Sequence, residues 1–176
     1  LTSALPAITT PVIIDGTTDT GSFANNGSQP AIVIDVNGLT TTNGLQLSNT
    51  ADGSTIRGLV ILNFTSAGIR IDTGSNGHTI VGNHISPVDA AGNPIATTNG
   101  LNSLYVGGAN NVIGGTTAAD RNVINQPGTS YGILITGAGA SGNVVLGNYL
   151  GTDVSGTVAT TNTSNAIAMI GSASNN

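Results

Sequence analysis

Asp15, Asp35 and Arg57 each close a short β-branched run: Ile13-Ile14-Asp15, Ile32-Val33-Ile34-Asp35 and Thr55-Ile56-Arg57. As successive turns of one coil, these runs give the three side chains a shared outward position. Two carboxylates one turn apart raise each other's proton affinity, and a guanidinium beside them offsets that rise. A hydrolytic acid/base pair needs a separation of about 5 Å or about 6.5–9.5 Å, and neighbouring turns approximate the shorter case. A sugar site also needs aromatic platforms or cations. This chain has no Trp, 3% aromatic residues and no Lys. The plainer reading is a charged ladder on a surface, with catalysis the weaker one.

Other residues carry less. Arg70 points outward and Asp72 sits at a corner, so the expectation is two solvated charges that need not meet. His78 and His84 flank one strand, but a zinc site needs three or four convergent ligands, and no third shares their spacing. No metal and no cofactor is expected. Asp15-Gly16-Thr17-Thr18-Asp19 and Thr152-Asp153 offer oxygens in Gly-rich loops, yet lack the EF-hand and nonapeptide patterns of a calcium site. Ser and His form no recognisable nucleophile arrangement, and Gly114-Gly115-Thr116 lacks the Lys of a phosphate loop. Threonine runs fall in loops rather than at one repeated strand position, which disfavours an ice-binding face. Asn26, Asn63 and Asn162 open acceptor patterns for N-glycosylation, a frequent chance match in so Asn- and Thr-rich a chain.

Composition narrows the classes. The 176 residues suit one domain, taken here as 1–176. Only 6% are charged, all acids are Asp and all strong bases are Arg. Without Glu or Lys, and with 26 Gly, the chain favours strand and turn over helix. Hydrophobic residues at 38% supply a thin core. A net charge of −5 with three arginines excludes a sequence-independent nucleic-acid binder. No apolar stretch is long enough for a transmembrane helix. The absence of Cys removes disulfides and thiolate metal sites. The neutral Thr/Asn-rich surface favours an extracellular or cell-surface setting.

The elements that position these residues are repeats. One family of runs reads Val12-Ile13-Ile14-Asp15-Gly16, Ile32-Val33-Ile34-Asp35, Thr55-Ile56-Arg57-Gly58, Thr79-Ile80-Val81-Gly82-Asn83, Val112-Ile113-Gly114-Gly115 and Val144-Val145-Leu146-Gly147-Asn148. A second contains Leu45-Gln46-Leu47, Ile69-Arg70-Ile71, Leu104-Tyr105-Val106, Ile133-Leu134-Ile135 and Ile167-Ala168-Met169. A third contains Leu59–Phe64, His84-Ile85, Asn122-Val123-Ile124 and Asn148-Tyr149-Leu150. Three short strands per turn, repeated at a spacing of roughly 20–50 residues, predict a solenoid of about six turns. Alternation turns Ile14, Ile34, Ile56, Ile80, Ile113, Val145, Leu45, Leu47, Ile69, Ile71, Ile133, Ile135, Ile167 and Met169 inward. Asn residues at the corners suit left-handed backbone and can stack as an amide ladder. Ser86–Thr98, Thr116–Arg121 and Gly151–Ser164 read as inserted loops.

Segments such as Asn143-Val144-Val145-Leu146-Gly147-Asn148-Tyr149-Leu150-Gly151-Thr152-Asp153 and Asn111-Val112-Ile113-Gly114-Gly115-Thr116 resemble right-handed parallel β-helix repeats of bacterial secreted and surface proteins. The resemblance covers nearly the whole chain. It implies an all-β fold shared with pectin-lyase-like enzymes, among which are polysaccharide lyases and glycoside hydrolases. It also implies a module or processed part of a longer chain.

The remaining expectations concern partners. Repeat-like sequence reaches close to both ends, and exposed strand edges recruit further strands. The outward positions grow apolar along the chain, through Val81, Leu146, Leu134 and Ala168, which marks a covered face or interface. The reading is a structural β-helix that self-assembles end to end into a filament, or forms part of a fibre or adhesin. Its partners are copies of itself or other domains of a longer chain. The alternative is a module that binds or cleaves polysaccharide.

Overall fold

A computed structural model describes residues 1–18, 30, 32–37, 39–40, 42–88, 93, 95, 100–126, 130–160 and 164–176. Asp19, Asn26 and Asn162 lie outside them. The chain is a parallel β-helix built from three five-stranded sheets. Sheet I holds β1 (Ile13–Asp15), β4 (Thr55–Arg57), β7 (Thr79–Val81), β10 (Val112–Gly114) and β13 (Val144–Leu146). Sheet II holds β2 (Ile32–Asp35), β5 (Leu59–Leu62), β8 (His84–Ile85), β11 (Val123–Ile124) and β14 (Tyr149–Leu150). Sheet III holds β3 (Leu45–Leu47), β6 (Ala67–Ile71), β9 (Asn102–Val106), β12 (Tyr131–Thr136) and β15 (Ile167–Ile170). One strand from each sheet makes a rung, so the rod has five rungs.

The expected sixth turn came from placing Ile32–Asp35 beside Ile13–Asp15. In the fold β2 belongs to sheet II and pairs with β5, with Ile32 opposite Leu59 and Asp35 opposite Leu62. β1 pairs directly with β4. Alternation says which side chains face inward but not which sheet a strand joins. The aliphatic run of β5 offers β2 the better stacking partner.

The interior is a single column of aliphatics. Ile56, Ile80 and Ile113 stack in sheet I, Ile61, Ile85 and Ile124 in sheet II, and Ile69, Leu104 and Ile133 in sheet III, all fully buried. Ile14, Ile34 and Val145 pack against this core in part, as the outermost rungs dictate. Ile167 and Met169 align with Ile133 and Ile135 but stay 39% and 57% exposed on the edge strand of sheet III.

Each rung is short because its corners are sharp. Gly58, Gly82 and Gly147 turn the chain from sheet I toward sheet II at φ of 69°, 64° and 67°. A left-handed corner of this kind favours glycine. The next residue is Leu59, Asn83 or Asn148, and the sheet II strand follows at once. The expected loop at Thr116–Arg121 and the described part of Gly151–Ser164 are turns outside the sheets, the second closed by a bridge between Thr152 and Ala159, and most of the expected loop Ser86–Thr98 lies outside the described residues. Among the described residues, no helix is long and apolar enough to cross a membrane.

Candidate functional site

The three opening candidates do not form a cluster. Asp15 and Arg57 face each other across β1 and β4 and make a salt bridge. Asp15 Oδ1 also accepts from the Thr17 amide at 2.9 Å and the Thr17 hydroxyl at 2.6 Å. The hydrogen bond from Arg57, then that from Thr17, hold its carboxyl well below the usual range. Asp35 sits in sheet II, where it accepts from the Asn37 amide at 2.9 Å and Asn63 Nδ2 at 2.8 Å. The Asp15–Asp35–Arg57 grouping is therefore corrected to a single ion pair plus a remote carboxylate. Half-exposed ion pairs contribute little to stability. Arg57→Ala is expected to leave the thermal midpoint within about 3 °C in a calorimetric scan.

Arg70 and Asp72 do meet, contrary to the sequence expectation. Arg70 Nε donates to Asp72 Oδ1 at 2.6 Å, Gln46 Nε2 donates to Asp72 Oδ2 at 2.8 Å, and the guanidinium lies 4.2 Å from the Tyr105 ring centroid. The signal was present: in an extended run, residues i and i+2 lie on one face. Tyr105 stands opposite Arg70 in the next rung. Arg121 repeats the device, with its guanidinium 4.1 Å from the Tyr149 ring and its Nε donating to the Gly147 carbonyl.

Asp153 is enclosed by its own loop. Both oxygens accept from the Ser155 hydroxyl at 2.8 Å, and Oδ1 accepts from the amides of Thr157 and Val158. Desolvation pulls its pKa up, but these bonds outweigh it and hold the carboxyl below its ordinary value. Asp52 accepts from the Asn76 amide and Asp120 from the Thr117 hydroxyl. The oxygens proposed for calcium at Asp15 and Asp153 are thus spent on internal donors. Among the described residues, no three of His, Cys, Asp or Glu converge.

Sequence reasoning missed one suggestive pair. Ser75 Oγ lies 2.7 Å from His78 Nε2, and both residues are fully buried. The hydrogen-bond directions decide its role. His78 Nδ1 accepts from the Ser54 amide at 3.1 Å, so the ring proton sits on Nε2 and is donated to Ser75. The Ser75 hydroxyl in turn donates to the Ser48 carbonyl at 2.6 Å. A general base must accept the nucleophile's proton, and this imidazole does the reverse.

His78 belongs instead to a ladder. Before each sheet I strand, the backbone N–H of one rung donates to the side chain of the next: Val12 to Ser54 Oγ, Ser54 to His78 Nδ1, His78 to Asn111 Oδ1, Asn111 to Asn143 Oδ1, and Asn143 to Asn176 Oδ1. A second ladder runs before sheet II, from Leu59 to Asn83, Asn122 and Asn148. Its amide groups donate back to the carbonyls of Ile56, Ile80 and Ile113. Ser, His and Asn are interchangeable here because each presents one acceptor to a buried N–H.

The outward apolar residues are partly enclosed within one chain. Leu134 is 8% exposed and Ala168 9%, while Val81 and Leu146 are half-buried. Asn63 is buried at φ 58° with its amide donating to Asp35, a poor position for glycan attachment.

Compared with protein-family models, curated proteins and solved structures, the chain matches none.

Proposed function

We propose that this chain is a structural β-helix, an extracellular or cell-surface rod module of the kind its repeats resemble. The observation that carries the reading is the disposition of its charges. Each described aspartate and arginine is bonded to the chain's own groups, and the most elaborate polar networks run inside the corners. An enzyme keeps reactive groups poised toward substrate.

The rung edges supply the associative part of the reading. Unpaired strand edges attract further strands, and β13, β14 and β15 are edge strands that leave Ile167 and Met169 uncovered. The fitting partner is another rung, from a longer chain or a fibre neighbour. Ladder chemistry favours a rung bearing Asn or Ser at its corners. Val12 and Ile32, which occupy those positions in the first rung, offer no side-chain acceptor. Leu59, which likewise offers none, still stacks on Ile32, so identical copies remain able to stack head to tail.

The rival reading, polysaccharide binding or cleavage, has Gln46, Arg70 and Tyr105 on sheet III, with Asp72 just past β6, as its best-placed residues. One pair of experiments separates the two. On an array of acidic and neutral glycans the chain is expected to give no binding and no turnover, while scattering and electron microscopy show rods. Glycan cleavage that disappears in Arg70→Ala would reverse the ranking.

A further inference from the structure

The two histidines of the chain fall in the same rung, His78 just before β7 and His84 at the start of β8. Both rings are buried, and only that of His78 has a role so far, in the corner ladder. His78 Nδ1 is an obligatory acceptor in the corner ladder, bonded to the Ser54 amide of the rung before. His84 occupies the outer side of sheet II between Val60 of β5 and Val123 of β11. That side is covered: Val60, His84 and Val123 are 4%, 7% and 3% exposed. Among the described residues, His84 Nδ1 has no hydrogen-bond partner.

We propose that the third rung is an acid-sensitive seam. Protonation of its two imidazoles parts the first two rungs from the last two. A proton on His78 Nδ1 turns the ladder acceptor into a donor facing the Ser54 N–H, so the link between second and third rungs is lost. A proton on His84 places a cation between two buried valines.

The neighbours offer little compensation. Asp52, on the turn before β4, is the charged group acting on His78, and its carboxylate also accepts from the Asn76 amide. Ser54, Ser75 and Asn111 complete that environment and are neutral. Toward His84, no charged side chain acts among the described residues. Burial pushes His84 down to about 4 and lowers His78 as well, with the Asp52 charge opposing.

The sign follows from the direction of these shifts. An opened rung holds its imidazoles near the ordinary 6.5. Below that value the open form takes up protons that the closed form refuses. Opening then becomes about tenfold easier per pH unit for each histidine, until the buried group itself titrates. Above it, the closed rung is fully favoured. A solenoid permits such local opening because each rung touches only its neighbours.

The experiment is amide hydrogen exchange, corrected for intrinsic rates, from about pH 7 to about pH 5. Amides bonded across the seam, Ser54 and Thr79, are expected to lose protection by about one to two decades per pH unit. Val144 and Tyr149, bonded between the fourth and fifth rungs, should change far less. His78→Asn keeps the acceptor without the titration, and His84→Val matches its column. The double variant should be flat over this range, and His78→Asn alone should show about half the slope. Loss of protection spread evenly over all rungs would overturn the seam, as would an unchanged slope in His78→Asn.

Discussion

Asn122→Leu is expected to lower the unfolding free energy by about 2–5 kcal/mol. The side chains are similar in size, so packing changes little. What is lost is the pairing of its amide: Asn122 Oδ1 accepts from the Asn83 backbone N–H at 2.9 Å and Asn83 Nδ2 at 3.2 Å, and its Nδ2 donates to the Ile80 carbonyl at 2.8 Å and Asn148 Oδ1 at 2.9 Å. Asn83 and Asn122 are fully buried, so water cannot replace these bonds. Each orphaned buried group costs about 1–3 kcal/mol. Asn148→Leu removes equivalent bonds in the half-buried last rung and should cost clearly less. Urea titrations of the two variants check this, and equal losses would contradict a burial origin.

Phe64→Ala is the second large effect, expected at about 3–5 kcal/mol. Phe64 follows β5 and is, among the described residues, the largest fully buried side chain. Its ring lies against Gly68, where an added Cβ would come within 3.0 Å of Cε1. Removing the ring leaves a cavity that a narrow coil, fixed by its ladders, cannot close. Ile13→Ala is the control: Ile13 is 74% exposed on the outer face of β1, so its loss should fall within about 0.5 kcal/mol. Thermal or urea unfolding distinguishes them. Similar losses at both sites would mean that inward and outward sides are misassigned.

Much of this fold was readable from alternation. Ile56, Ile80 and Ile113 face inward because period-two runs have only two faces, and the hydrophobic one goes inside. Sheet membership was less readable, since strands of the same composition serve sheets I and II. Ile32–Asp35 shows the consequence: its residue types fit either sheet, and pairing with Leu59–Leu62 decides. The error propagated to the proposed acidic pair, which depended on Asp35 sharing a sheet with Asp15. The corner asparagines could be foreseen as a ladder, but Ser54 and His78 could not be placed in it. Membership there depends on offering one acceptor at one point, a property that residue identity does not reveal. The Arg70–Asp72 contact was available from the same alternation and was missed by treating Asp72 as a corner.

The corner N–H groups all donate one way, from the backbone of an earlier coil to the side chain of a later one, and the Asn amides of the second ladder donate back to the earlier coil's carbonyls. Each Asn of that ladder therefore clasps the coil before it with both ends of one amide. The molecule keeps a direction despite its scarcity of ions, since each ladder N–H points on toward the next coil. Anything built by lengthening it inherits that arrow.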